Sequence, residues 1–211
     1  MYNSIDTLIL DLGGVLIDVE YADSARAFHA LGYPDFEGLY TKAKQTDLFD
    51  RFETGAISPA GFRDAVRELL GSNLSDKDID ASWNAMLGSI PQERIALVNQ
   101  LKDRYPVLLL SNTNAIHVPA FDAIVAQENG IADFKGLFHG AYYSCELGMR
   151  KPNTDIFHHV IAQHGVDPAR TLFIDDSPQH VEGARKAGLL AEHLDLEKED
   201  VIALVGRLGL L

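Results

Sequence analysis

Four short apolar runs, at residues 7–10, 107–110, 171–174 and more loosely 137–143, limit what this chain can fold into. Each is apolar at nearly every position and bounded by polar or turn residues, the pattern of strands buried on both faces of a parallel sheet. Between them the apolar spacing becomes helical. Over residues 91–104 Ile95, Val98 and Leu101 share one side, and a second helix is expected over 153–163, ending at Gly165. This alternation predicts an α/β fold, a doubly wound parallel sheet with helices on both faces. Ligands in such sheets sit beyond the carboxyl ends of the strands. Three of the runs stop there at residues able to do chemistry: Asp11, Ser111 and Asp175.

Residues 18–89 break the alternation and read as several helices. One starts at Ser58-Pro59 and carries Phe62, Val66, Leu69 and Leu70 to Gly71. Another starts at Ser75, with Asp78 three residues on as a weak capping box, and carries Ile79, Trp83 and Met86. The expected organisation is an α/β core from residues 1–17 and 90–211, with residues 18–89 inserted as a helical cap above the strand ends.

Charge restricts the partners. With 31 acidic against 18 basic residues the formal net charge is -13, and no Lys/Arg cluster relieves it, so a nucleic acid is a poor partner. An anionic small substrate must be drawn in by local charge, a metal or backbone dipoles. No apolar run is long enough to span a bilayer, and the start of the sequence has no signal pattern. The single Cys145 has no partner for an internal disulfide and no neighbouring activator, so it reads as a packing residue in a cytoplasmic protein.

Four segments carry candidate chemistry, each with a plainer structural reading. Asp11-Leu12-Gly13-Gly14 puts a carboxylate at a buried strand end, although Asp before Gly-Gly is also ordinary turn chemistry. Ser111-Asn112-Thr113-Asn114 offers a hydroxyl, an amide and backbone N–H groups, or a helix cap. Lys151-Pro152 places a cation just before a helix, where an anion is needed to justify it, unless the side chain snorkels to solvent. Asp175-Asp176-Ser177-Pro178 pairs two carboxylates that repel unless a cation such as Mg²⁺ sits beside them, and Ser177 can also cap the helix that follows.

In this order and spacing the four segments resemble the haloacid dehalogenase-like hydrolase superfamily, along the whole chain. The resemblance implies a Rossmann-like core with an inserted α-helical cap. It also implies Mg²⁺-dependent hydrolysis of small phosphorylated metabolites through an aspartyl-phosphate. On that basis Asp11 is the nucleophile, Ser111, the Asn112 backbone and Lys151 bind the phosphoryl oxygens, and the metal lies among Asp11, the Gly13 carbonyl, Asp175 and Asp176. Residues 147–152 and Glu182-Gly183-Ala184, with the segments above, look most like the bacterial α-D-glucose-1-phosphate phosphatases, which points to sugar 1-phosphates.

One position departs from the superfamily pattern. Many of its phosphatases have an Asp two residues after the nucleophile to protonate the leaving group, and this chain has Gly13. Such an acid contributes about 10²- to 10⁴-fold, so its loss favours esters with acidic leaving groups, such as sugar 1-phosphates over 6-phosphates. Glu53, in a polar break of the cap, is a candidate substrate-facing residue on location. His117 is a candidate lining residue, with a surface-loop histidine the more ordinary reading. His158, His159 and His164 read as surface or packing residues, and Trp83 as core. Two alternatives remain open: a metal-independent dehalogenase-like hydrolase, and a catalytically silent binding protein on the same fold.

Overall fold

The computed structural model describes residues 5–33 and 47–211. Its sheet has five parallel strands in the order β3-β2-β1-β4-β5: β1 (Thr7–Leu10), β2 (Val107–Ser111), β3 (Gly140–Tyr143), β4 (Thr171–Asp175) and β5 (Leu190–His193). The uninterrupted apolar runs are explained by burial on both faces. Leu8, Leu10, Leu109, Leu172 and Ile174 point into one core, while Ile9, Leu108, Leu110 and Phe173 point into the other.

Helices cover both faces. α5 (Gln92–Lys102), α6 (His117–Asn129) and α10 (Val201–Leu208) fill the first core, and α8 (Thr154–His164) and α9 (Pro178–Lys186) fill the second. A one-turn helix, α7 (Ser144–Leu147), follows β3 directly. The fold class is therefore the α/β, doubly wound arrangement expected. β5 was not anticipated: its sequence Leu190-Ala191-Glu192-His193 is half-polar, as suits an edge strand, and gives no apolar run.

Between β1 and α5 the described residues contain α1 (Tyr21–Ala30), α2 (Leu48–Glu53), α3 (Pro59–Leu70) and α4 (Asp76–Asn84). They surround an apolar cluster of their own, built on Phe28, Phe52, Phe62, Ile79 and Trp83. Ser58 and Ser75 cap α3 and α4 through the N–H groups of Gly61 and Asp78, as their sequence context suggested. Arg63 joins these two helices by a two-pronged bond to Asp80, both contacts at 2.8 Å.

The strand order makes β1 and β4 neighbours at the point where the chain reverses its direction of travel across the sheet, so Asp11 and Asp175 emerge side by side. α9 is held close to this point because residue 183 lacks a side chain: a Cβ there would lie 2.2 Å from the Pro152 carbonyl oxygen. A helical Gly→Ala exchange ordinarily gains about 1 kcal/mol in propensity. Here the obstacle is backbone in the loop that carries Lys151, and overpacking of this kind costs about 1–3 kcal/mol. Gly183→Ala is expected to lower the denaturant midpoint at unchanged m-value, and an unaltered or raised midpoint would show that α9 can retreat freely.

Candidate active site

The residues at the ends of β1, β2 and β4 meet around one buried cation. Lys151 is fully buried, and its Nζ lies 2.7 Å from Asp11 Oδ1, 2.7 Å from Asp175 Oδ2 and 2.9 Å from the Leu110 carbonyl oxygen. An ammonium has three protons, and here each has an acceptor. The residue before Pro152, joined to it by a cis peptide bond, is thus turned inward rather than snorkelling to solvent. Asn112 holds it there: its side-chain N–H donates to the Lys151 carbonyl and its side-chain oxygen accepts from the Lys151 N–H, both at 2.9 Å.

Electrostatics within this cluster are uneven. Burial, and then the neighbouring Asp175, push the Asp11 carboxyl well above the usual aspartate range against the pull of Lys151. Asp175 is as deeply buried, but Lys151 and His180 outweigh that and hold its carboxyl well below the usual range. Lys151 is in turn kept above its ordinary value, because Asp11 and Asp175 together overcome its desolvation.

His180 was not anticipated from the sequence. Its Nδ1 lies 3.0 Å from both Asp175 oxygens, which places a proton on that nitrogen because a carboxylate only accepts. It lies five residues beyond Asp175 in the first turn of α9, so only the folded turn brings the two together. Ser177 also differs from expectation. Its side chain makes no cap hydrogen bond, and instead its N–H donates to Asp175 Oδ1 at 2.8 Å.

Asp176 is half-buried and forms no ion pair among the described residues, and burial followed by Asp175 raises its carboxyl. Gly14, at φ +70°, lies so close that a Cβ on it would be 2.4 Å from Asp176 Oδ2. Gly13 has no such restriction: a Cβ there would meet only Val19 Cγ2, at 3.5 Å. Sterically, position 13 could carry a side chain.

Two carboxylates, Asp11 and Asp175, therefore stand against one buried ammonium, with Asp176 beside them in the chain but outside the set of ligand atoms that converge. Asp11, Asp175 and His180 each present a possible ligand atom within 4.8 Å of the others, with Lys151 already bridging the two acids. An excess of hard oxygen donors fits a small dication such as Mg²⁺.

Above the cluster, a cavity of about 110 Å³ separates the sheet ends from the inserted helices. Gly13, Ser111 and Asn112 line it from below and Glu53, Trp83 and His117 from the sides. Ser111 is buried at the end of β2, its hydroxyl only weakly engaged at 3.4 Å from the Asn112 carbonyl oxygen. Glu53 closes α2 beside Arg150, whose Nη2 lies 2.8 Å from Glu53 Oε2 and whose Nη1 lies 2.5 Å from Asp50 Oδ1. Burial raises the Glu53 carboxyl despite that cation.

The surface-loop reading of His117 is corrected. It is buried, starts α6, stacks on Trp83 at 5.3 Å between ring centres, and its Nδ1 lies 2.8 Å from Asn84 Oδ1. Trp83 belongs to the helical core, as expected, while also lining the cavity. His164 and His159 pack against Tyr142, and Cys145 is a half-buried free thiol whose burial raises it.

With the geometry in place, comparison with known proteins decides the family. Residues 5–188 match the haloacid dehalogenase-like hydrolases. The chain belongs to this family. It is 29% identical over 189 residues to a D-ribitol-5-phosphate phosphatase of Bacteroides thetaiotaomicron, covering 87% of this chain and 89% of that protein. It is 28% identical over 200 residues to a sesquiterpene phosphatase of Aspergillus oryzae, covering 92% of each. Among solved structures, a family enzyme of Bacteroides thetaiotaomicron in complex with magnesium and inorganic phosphate superposes with a TM-score of 0.84 at 36% identity, over 95% of this chain and 98% of that one. Among the described residues no helix is long and apolar enough to cross a membrane.

Burial lowers the His117 pKa to about 4 from its ordinary 6.5, so folding binds this ring neutral. The unfolded chain takes up the proton first, and stability is lost as pH falls from about 6.5 towards 4. The full shift corresponds to on the order of 3 kcal/mol. His117→Gln is expected to flatten the unfolding free energy against pH in this window relative to wild type. Parallel curves would mean that His117 titrates normally.

Proposed function

We propose that this protein is a Mg²⁺-dependent phosphatase that hydrolyses small phosphorylated metabolites through an aspartyl-phosphate on Asp11. The observation that carries the reading is the excess of carboxylate at the adjoining ends of β1 and β4 around a single buried lysine, beneath a cavity under the inserted helices. The relatives support it: two are named phosphatases, and a solved family enzyme holds magnesium and inorganic phosphate.

In this reading Asp11 attacks the phosphorus in line, Ser111 with the Asn112 backbone holds the phosphoryl oxygens, and Lys151, whose three protons already have acceptors, fixes the Asp11 carboxylate and offsets charge from below. Asp11, the Gly13 carbonyl and Asp176 would hold Mg²⁺, with Asp175, already committed to Lys151 and His180, the lesser ligand. The ion supplies charge neutralisation between the acids and the dianionic substrate. The described helices within residues 18–89 serve as the lid over the core of residues 1–17 and 90–211, residues 1–4 and 34–46 of these segments lying outside the described residues. A cytoplasmic location suits the free thiol of Cys145.

The leaving group is a small hydroxylated one. The Glu53 carboxyl and the polar groups of Ser111, Asn112 and Asn114 line the cavity and can meet hydroxyls, while Phe49, Phe52, Met86 and Leu87 give it apolar walls. Sugar 1-phosphates suit the glycine at position 13. Esters of primary alcohols, the kind named for the Bacteroides relative, suit a cavity that contains Glu53. Rates on hexose 1-phosphates and pentitol 5-phosphates decide between them.

Asp11→Asn keeps the volume and removes the nucleophile, so turnover should fall below about a thousandth of wild type while the fold is retained. Residual activity above that level would remove Asp11 from the role.

Asp176→Ala should raise the Mg²⁺ concentration for half-maximal activity by about tenfold or more, and by more than Asp175→Ala, since even indirect partners of a metal site matter at that scale. Activity that survives EDTA unchanged would favour a metal-independent hydrolase instead.

A further inference from the structure

We propose that Glu53, carried by the cap and held by Arg150, gives a proton to the leaving-group oxygen and later takes one from the attacking water, the role left vacant at Gly13. The inference rests on the phosphatase reading above and concerns the same cavity.

A Cβ at position 13 would meet only one side-chain atom, at an ordinary 3.5 Å, so neither backbone conformation nor crowding demands glycine. Among the described residues lining the cavity, only Tyr21, Glu53 and His117 can ionise. Tyr21 is 67% exposed. His117 is buried among rings, with Nδ1 tied to Asn84, and its neutral ring has no acidic proton to give at neutral pH. Glu53 remains.

Its setting suits both halves of the task. Glu53 lines the same cavity as Gly13, Ser111 and Asn112, and is close enough to Lys151 to feel its charge. Arg150 Nη2 approaches Glu53 Oε2 to 2.8 Å, and among the described residues nothing bonds the other oxygen, so the carboxyl is held without being saturated. The charged groups facing Glu53 are Arg150, Asp50 and Lys151. Burial leads in raising its carboxyl, and a phosphate dianion entering the cavity adds negative charge that favours the protonated acid further.

The steps balance. As the Asp11 carboxylate forms its bond to phosphorus, the bond from phosphorus to the leaving oxygen breaks and that oxygen takes the Glu53 proton, releasing an alcohol. The Glu53 carboxylate then removes a proton from water as the water oxygen bonds to phosphorus. The phosphorus–Asp11 bond breaks, yielding inorganic phosphate, the Asp11 carboxylate and a protonated Glu53. Because Glu53 arrives on the cap, acid catalysis is available only when the cap is seated on the core.

The test uses Glu53→Gln with Mg²⁺ on a pentitol 5-phosphate and on 4-nitrophenyl phosphate, with Glu53→Asp as the conservative control and the thermal midpoint as a check of folding. For the alkyl ester, kcat/KM should fall about 10²- to 10⁴-fold, the usual contribution of a general acid. For the aryl ester, whose leaving group needs no proton, kcat/KM should change less than about fivefold. Slowed hydrolysis of the aspartyl-phosphate should then show as a pre-steady-state burst of one nitrophenol per enzyme. Glu53→Asp should recover part of the alkyl activity, even if Glu53→Gln proves too unstable to assay. Equal losses on both esters with no burst, or no loss on either, overturns the assignment of Glu53. Wild-type enzyme inactive on every phosphate ester would overturn the phosphatase reading itself.

Discussion

The ammonium of Lys151 is the interaction on which the rest of the site depends. It is fully buried, an expensive place for a charge, and it is stable there only because Asp11, Asp175 and the Leu110 carbonyl surround it. Three strand ends are thereby fixed relative to one another by a single side chain. Removing it would leave two carboxylates facing each other in a dry interior, so the fold and the chemistry share the same bond set. The arrangement also divides the acids. Asp175 is committed to Lys151, His180 and the Ser177 N–H, whereas Asp11 keeps one oxygen out of the Lys151 pair and the Asp176 carboxylate forms no ion pair among the described residues.

The loop that delivers Lys151 also joins the two layers of the molecule. Arg150 reaches up to Asp50 and Glu53 at the end of α2 while its neighbour reaches down to Asp11. Gly55, just beyond α2, adds a second approach: at φ +67° it comes so near the Cys145 carbonyl oxygen that a Cβ would lie 2.4 Å away. The cap is therefore seated on backbone and charge at one edge, and the aromatic stack of Phe49, Trp83 and His117 closes the other. A cavity bounded in this way selects by shape and hydrogen bonding at its roof and by charge at its floor.

Much of this was legible in the sequence because the physics that buries a parallel strand on both faces also writes a continuous apolar run, and because a polar residue ending such a run is conspicuous. Asp11, Ser111 and Asp175 were found by that signal alone. β5 escaped it because an edge strand is buried on fewer sides and tolerates Glu192 and His193. His180 escaped because its link to Asp175 exists only once the first turn of α9 has formed. His117 was misread as a surface residue because the cover over it comes from Trp83 and Asn84, more than thirty residues earlier in the chain, and no local pattern records a packing partner so distant.

The acidic surface sharpens the meaning of the buried charges. At a net charge of -13 the long-range field disfavours an approaching phosphate, although salt screens it beyond about 8–10 Å. Attraction must therefore act inside the cavity, where low dielectric makes each charge count for more. Lys151 cannot supply it alone, since its charge is already matched twice over by Asp11 and Asp175. Arg150 is likewise matched by Asp50 and Glu53. The described cavity walls thus hold no surplus positive charge, and a dianion gains entry only with a cation that the protein itself does not provide. The same accounting explains why Asp176 can remain unpaired in a well-packed protein. A cation bound beside it would offset the cost of that half-buried charge, in line with the general tendency of functional sites to retain charges that the fold alone would neutralise.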